Sequence, residues 1–167
     1  ANTTGTQNVA VGAEALDANT TAGGNTALGY QAMSAATTGG GNTAIGHQSM
    51  ATGVVTGLHN TALGDGSLLV LTSGAYNTGL GKDALKANTT ASNSTAVGYQ
   101  SLAANTTGSE NVGLGAYALA SNTTGTDNTA IGTAALDANT TADNNTAVGR
   151  HALGANTTGH SNTAIGV

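Results

Sequence analysis

The glycines that close the motif N-T-A-x-G stand at 12, 29, 46, 64, 81, 98, 115, 132, 149 and 166, a spacing of 17 residues broken once by 18, between Gly46 and Gly64. A short fixed period of this kind describes a chain that coils upon itself, because one unit alone cannot bury its apolar side. Two columns of the period are strictly aliphatic. The residue before each glycine is Val11, Leu28, Ile45, Leu63, Leu80, Val97, Leu114, Ile131, Val148 or Ile165, and four residues after it comes Leu or Met, from Leu16 to Leu153. Asn opens nine of the ten units, and Ser94 takes the remaining place.

The chemistry within the unit selects a β-rung over a helix pair. Seventeen residues are few for two helices, and the recurrent Asn-Thr-Thr-Gly would break either one. Thr and the β-branched aliphatics favour extended backbone, and in N-T-A-V-G the Thr and Val lie on one strand face. The glycine that follows supplies a turn conformation closed to other residues. A second extended piece, A-L-x-A-N-T-T, would complete the circuit. We therefore expect an all-β fold, a β-solenoid (parallel β-roll) of about ten 17-residue rungs. Rungs about 4.8 Å apart make a rod of roughly 50 Å. On this reading both aliphatic columns are interior ladders, and the Asn column stacks amide on amide.

Composition adds exclusions and one requirement. Cys is absent, so no disulfide framework exists, and a net charge of -5 with 7% charged residues leaves no footprint for nucleic acid or an anionic membrane. No stretch approaches the roughly 18 apolar residues of a membrane span. The chain opens ANTTGTQ, which reads as a fragment of a longer fibre, with 1–167 forming a single repeat solenoid. Two aliphatics per rung make a thin core against the entropy of ordering the rest. Two further columns are uniformly small, Ala10, Ala27, Ala44, Ala62, Gly79 and Ala96 in one and Ala15, Ala32, Ser49, Ser67 and Ala84 in the other. Stripes of small residues permit close approach of another chain. The expectation is a parallel homotrimer with the N-T-A-x-G strand nearest the threefold axis.

The motif N-T-A-[VIL]-G resembles the N-S-V-A-I-G repeat in the heads of trimeric autotransporter adhesins. The longer unit, as in TAVGYQSLAANTTGSE at 95–110 with Ser94 before it, is similar to repeat shafts of bacterial surface fibres and phage tail fibres. The likeness covers the whole chain. It implies a left-handed parallel β-roll trimer, display at the cell surface or on a virion fibre, and adhesion. The implied partners are further copies of the chain, also end to end, and a host-cell or surface receptor.

Chemistry is harder to find. GLGKDA at 79–84 and GLGAYA at 113–118 approach a dinucleotide-binding glycine pattern, but Gly79 and Gly113 merely stand in the Ala column of the repeat. His47, His59, His151 and His160 fall in variable columns, as do the acidic residues, whereas catalytic and metal-binding groups must converge from fixed positions. We expect no enzyme, no cofactor and no metal. The seven NTT triplets read as turn residues, with Asn bonding the local backbone. Their Thr columns suggest a different function, ice binding, as in antifreeze β-solenoids. Only one of two adjacent Thr columns can face outward, and the third and fourth rungs interrupt it. A self-assembling extracellular filament is the other alternative.

Two groups of residues stand out as candidate binding sites. After each glycine comes one variable column, and Tyr30, His47, Asp65, Lys82 and Tyr99 occupy it in consecutive rungs. Stacked along the rod, they would offer a surface to a glycan or a protein, with Tyr as platform. The second group lies where the period breaks. Val54, Val55, Leu58, Leu69, Val70 and Leu71 gather on two adjacent rungs in place of Ala, Asn and Thr. Exposed, they would form a contiguous apolar patch reserved for a receptor or for another chain of the trimer.

Overall fold

In a computed structural model, which describes residues 2–167, the chain winds into a parallel β-solenoid without a helix among the described residues. Each rung contributes one three-residue strand: β1 Val9–Val11, β2 Thr26–Leu28, β3 Thr43–Ile45, β4 Thr61–Leu63, β5 Thr78–Leu80, β6 Thr95–Val97, β7 Val112–Leu114, β8 Thr129–Ile131, β9 Thr146–Val148 and β10 Thr163–Ile165. They form one ten-stranded sheet in sequence order, every pair parallel and in the register of the repeat, so that Ala27 lies beside Ala44 and Leu28 beside Ile45. The expected rung is therefore present. The expected second strand is not, since A-L-x-A-N-T-T runs as turns and bends.

Left-handed backbone is the reason. In every rung from the first to the ninth, the Leu or Met four residues after the glycine has φ between +50° and +53°. A residue in that conformation cannot continue a strand. Two positions after the glycine, residues such as Gln48, Asp83 and Gln100 also have positive φ, as the third residue of a type II turn requires. Rung-to-rung bonding nonetheless continues around the coil. Leu16 N–H donates to Ala32 O at 3.1 Å, Ala18 N–H to Ser34 O at 2.9 Å, and Thr3 N–H to Thr20 O at 3.1 Å.

The motif glycine behaves as expected. Its φ lies between +128° and +138° in all ten rungs, and a Cβ on Gly98 would meet the carbonyl carbon and oxygen of Gly115 at 2.7 Å. Successive turns stack glycine on glycine, leaving no room for a methyl group.

Inside the coil, the left-handed Leu and Met side chains form a continuous stack, with Met33, Met50, Leu68, Leu85, Leu102, Leu119 and Leu136 fully buried. Around them sit Ala27, Ala44, Ala62 and Ala96 from the strands and Ala32, Ser49, Ser67 and Ala84 from the turn. The small columns are thus interior packing, not a surface for a second chain. Space dictates their size, since a Cβ on Gly79 would lie 2.6 Å from Ser67 Oγ. The aliphatic column before each glycine is corrected too. It alternates with the buried strand Ala, so it faces outward.

The remaining interior is amide. Asn at the start of the inner rungs, one of which opens with Ser94 instead, is buried, its Oδ1 accepting the next rung's backbone N–H, as from Asn42 to Asn25 at 2.8 Å and from Asn77 to Asn60 at 2.9 Å. Its Nδ2 donates across the rung, from Asn25 to Gly39 O at 2.9 Å and from Asn128 to Ala142 O at 2.8 Å, which ties the circuit shut. The Asn of NTT forms a second ladder, with Asn122 donating to Asn105 Oδ1 and Asn139 to Asn122 Oδ1, both at 2.9 Å. Each also bonds the carbonyl three residues ahead, as the turn reading expected. This second ladder stops where Ala36 replaces Asn, and Asn19 Oδ1 is consequently buried without a partner.

Candidate functional site

Four features of the outer surface bear on function. The first is the strand face. Thr26, Thr43, Thr61 and their equivalents project from it together with the aliphatic column, where Val11 is 54% exposed, Leu28 45%, Leu63 48% and Ile131 38%, and the others are half-buried except the terminal Ile165. None of the chain's charged residues or His falls in either column, so a Thr-and-aliphatic strip runs uncharged along the rod.

The second is the polar column. The coil does bring its members together. The rings of Tyr30 and His47 stack with centroids 5.5 Å apart, His47 Nδ1 lies 3.1 Å from Asp65 Oδ1, and Lys82 Nζ donates to Asp65 Oδ2 at 2.7 Å. Beyond Lys82, Tyr99 meets Tyr117 edge to face at 5.3 Å. The Lys82 ammonium, and after it His47, holds the Asp65 carboxyl below its ordinary value, and Asp65 in turn raises Lys82. All five residues of the column are exposed. The stacking covers one face of the Tyr30 ring with His47, so that face is not a platform for a sugar. The chain's acids are not all outward, as Asp83 is buried and paired with Lys86 Nζ at 3.0 Å.

The third is the site of the added residue, and here the expected patch divides. Val55 and Leu71 are fully buried among the core side chains, while Val54 and Leu58 are exposed and Leu69 and Val70 are half-buried. A continuous apolar surface of six residues does not form. With Ala36, the two buried residues fill the space that Asn occupies in other rungs. The extra residue is taken up as a bulge at Gly53 and Val54, bounded by Thr52 N–H to Leu69 O at 2.9 Å and Thr56 N–H to Thr72 O at 2.8 Å.

The fourth is the outward Thr column of the NTT segments. From Thr72 to Thr140 the first hydroxyl residue of each pair turns to the next rung, as from Thr72 to Thr89 O at 2.8 Å and from Thr106 to Thr123 O at 3.0 Å. The second faces solvent. Because the bulge restores the phase, the column keeps its position across the break: Thr4, Thr21, Thr38, Thr56, Ser73, Thr90, Thr107, Thr124, Thr141 and Thr158 are all exposed, although the Thr56 hydroxyl donates to Thr72 O at 3.3 Å. The interruption expected at the third and fourth rungs is limited to the bonded Thr56 hydroxyl and to Ser73, and the column's spacing continues. A signal for it was present, since a hydroxyl follows at the proper distance before each next Asn.

Among the described residues no group of three or more His, Cys, Asp or Glu is placed to hold a metal ion, and no helix is long and apolar enough to cross a membrane. His59 stacks on Tyr76 at 5.4 Å, and His160 Nδ1 accepts the Asp143 backbone N–H at 2.9 Å. The chain matches no family model, no curated protein and no solved structure.

Proposed function

We propose that this chain is a structural and adhesive segment of an extracellular trimeric fibre, a surface adhesin or tail-fibre shaft, and that it performs no catalysis. The observation that carries the reading is the uncharged Thr-and-aliphatic strip on the strand face. Soluble chains do not usually leave such a surface open along their length. Its rungs are equally spaced, so parallel copies set at the same height match aliphatic to aliphatic at every level, which a copy of any other pitch would not. Three such faces meeting on an axis enclose the aliphatic columns, in keeping with the resemblance of the repeat to trimeric adhesin heads. Ladder hydrogen bonds on every side of each rung suit a rod that carries load or sets distance.

Light scattering on the purified chain tests the assembly, with a mass of three chains expected at micromolar concentration. The Leu63→Glu/Leu80→Glu variant places carboxylates on the strip without touching the core and is expected to run as a folded monomer. A folded wild-type monomer would overturn the reading.

A further inference from the structure

We propose that the exposed hydroxyl column of the NTT segments is an ice-binding surface. It lies on a different part of the rung from the strand face, so it does not depend on the trimer. Three observations support it. Thr90, Thr107 and Thr124 stand in single file on consecutive rungs, about 4.8 Å apart, and their hydroxyls donate to no group of the chain among the described residues. The neighbouring Thr hydroxyls are fixed on backbone carbonyls, at 3.2 Å for Thr89 and 3.0 Å for Thr123. The column itself carries no charge to hold a mobile hydration shell.

A fourth observation is independent of the repeat. Where the period breaks, the interior changes its chemistry, with Ala36, Val55 and Leu71 ending the Asn ladder at the cost of an unbonded Asn19 Oδ1. The exterior keeps the column's position, although Thr56 Oγ1 turns to Thr72 O at 3.3 Å and Val54 and Leu58 are exposed nearby. The bulge at Gly53 and Val54 returns Thr56 and Ser73 to the hydroxyl column. A dissolved partner adapts to a local fault, but a crystalline one requires the same spacing from end to end. Thr is suited to this contact because its β-branched side chain loses little freedom on being held, and its methyl and hydroxyl both face the crystal.

The test is retention of the purified chain in a slowly grown ice shell, together with inhibition of ice recrystallisation. The wild-type chain is expected to be enriched in the ice and to keep crystals small. The Thr90→Lys/Thr107→Lys variant, which interrupts the column at two solvent-facing positions, is expected to fall to the level of an inert protein with its melting temperature nearly unchanged. The Tyr30→Ala/Tyr99→Ala variant on another side of the rod is expected to match the wild type. Wild-type exclusion from ice would overturn the proposal, as would full retention of the Lys variant. Capture on crystalline cellulose or chitin without ice retention would also overturn it and assign the column to a polysaccharide.

Discussion

The backbone N–H of Asn60 donates to Oδ1 of Asn42 at 2.8 Å, although 18 residues rather than 17 separate them. The bulge after Thr52 thus leaves the amide ladder aligned, and the Asn60 side chain goes on to bond Asn42 Oδ1 and Gly74 O. This ladder does two tasks at once, since Oδ1 joins successive rungs and Nδ2 closes each one.

The ladder predicts the effect of its one departure. Ser94 accepts from Asn111 N–H through Oγ at a longer 3.3 Å and does not reach across its rung. Ser94→Asn should stabilise the chain by about 1 kcal/mol, and Asn60→Ala should cost at least about 2–3 kcal/mol by leaving buried groups unbonded. Thermal unfolding followed by circular dichroism gives both signs.

Glycine at the end of the motif admits no replacement. Gly98→Ala would strain a φ of +128° and force Cβ into Gly115. A loss of about 3 kcal/mol or more is expected, with local rung opening. Two positions on, Gln100→Asn is expected to be neutral or stabilising, because Asn tolerates the left-handed region best after Gly. Equal melting curves for Gly98→Ala and the parent would contradict the account.

Interior Leu should resist β-branching more than loss of volume suggests. Leu102 is buried at φ +53°, so Leu102→Ile should cost about 2–3 kcal/mol through backbone strain added to repacking. Val97→Ile, on the outer strand face, should be nearly neutral. Chemical denaturation midpoints of the pair decide between the two sides of the coil.

Leu71 and Val55 are core residues, so their replacement should act on folding. Leu71→Thr removes buried apolar volume and inserts a hydroxyl, at a cost of about 2–4 kcal/mol. The loss is expected also in any variant kept monomeric by charges on the strand face. A change confined to assembly, with the monomer's stability intact, would return these residues to a binding role.

Asp65 predicts a small acid effect with a fixed sign. Its folded pKa lies below the unfolded one, owing first to Lys82 and then to His47. Its contribution to stability is therefore present above the unfolded carboxyl pKa and is lost as pH falls through the lower folded value. Exposure keeps the effect small. A carboxyl titration by NMR should find Asp65 below the ordinary range, and Lys82→Ala should move it upward.

Period, strand position, the obligate glycine and the buried Asn ladder were all legible in the sequence, because each follows from a local rule. Alternation assigns Thr and the aliphatic residue to one strand face, and only glycine reaches φ near +130°. Alternation does not say which face is inside. Tertiary structure decided that, since a coil this narrow admits only Ala, Gly or Ser on the inner side of strand and turn, and so the column from Val11 to Ile165 was turned outward. One sign of the inner column was in the sequence without being read. Positions from Leu16 to Leu153 hold only Leu or Met, never the Val or Ile common before the glycine, because a β-branched residue is strained in left-handed backbone. The fate of the added residue was not legible at all. Whether it would expose six aliphatics or bulge outward depended on the space left by Ala36 and the missing Asn, and the coil filled that space with Val55 and Leu71.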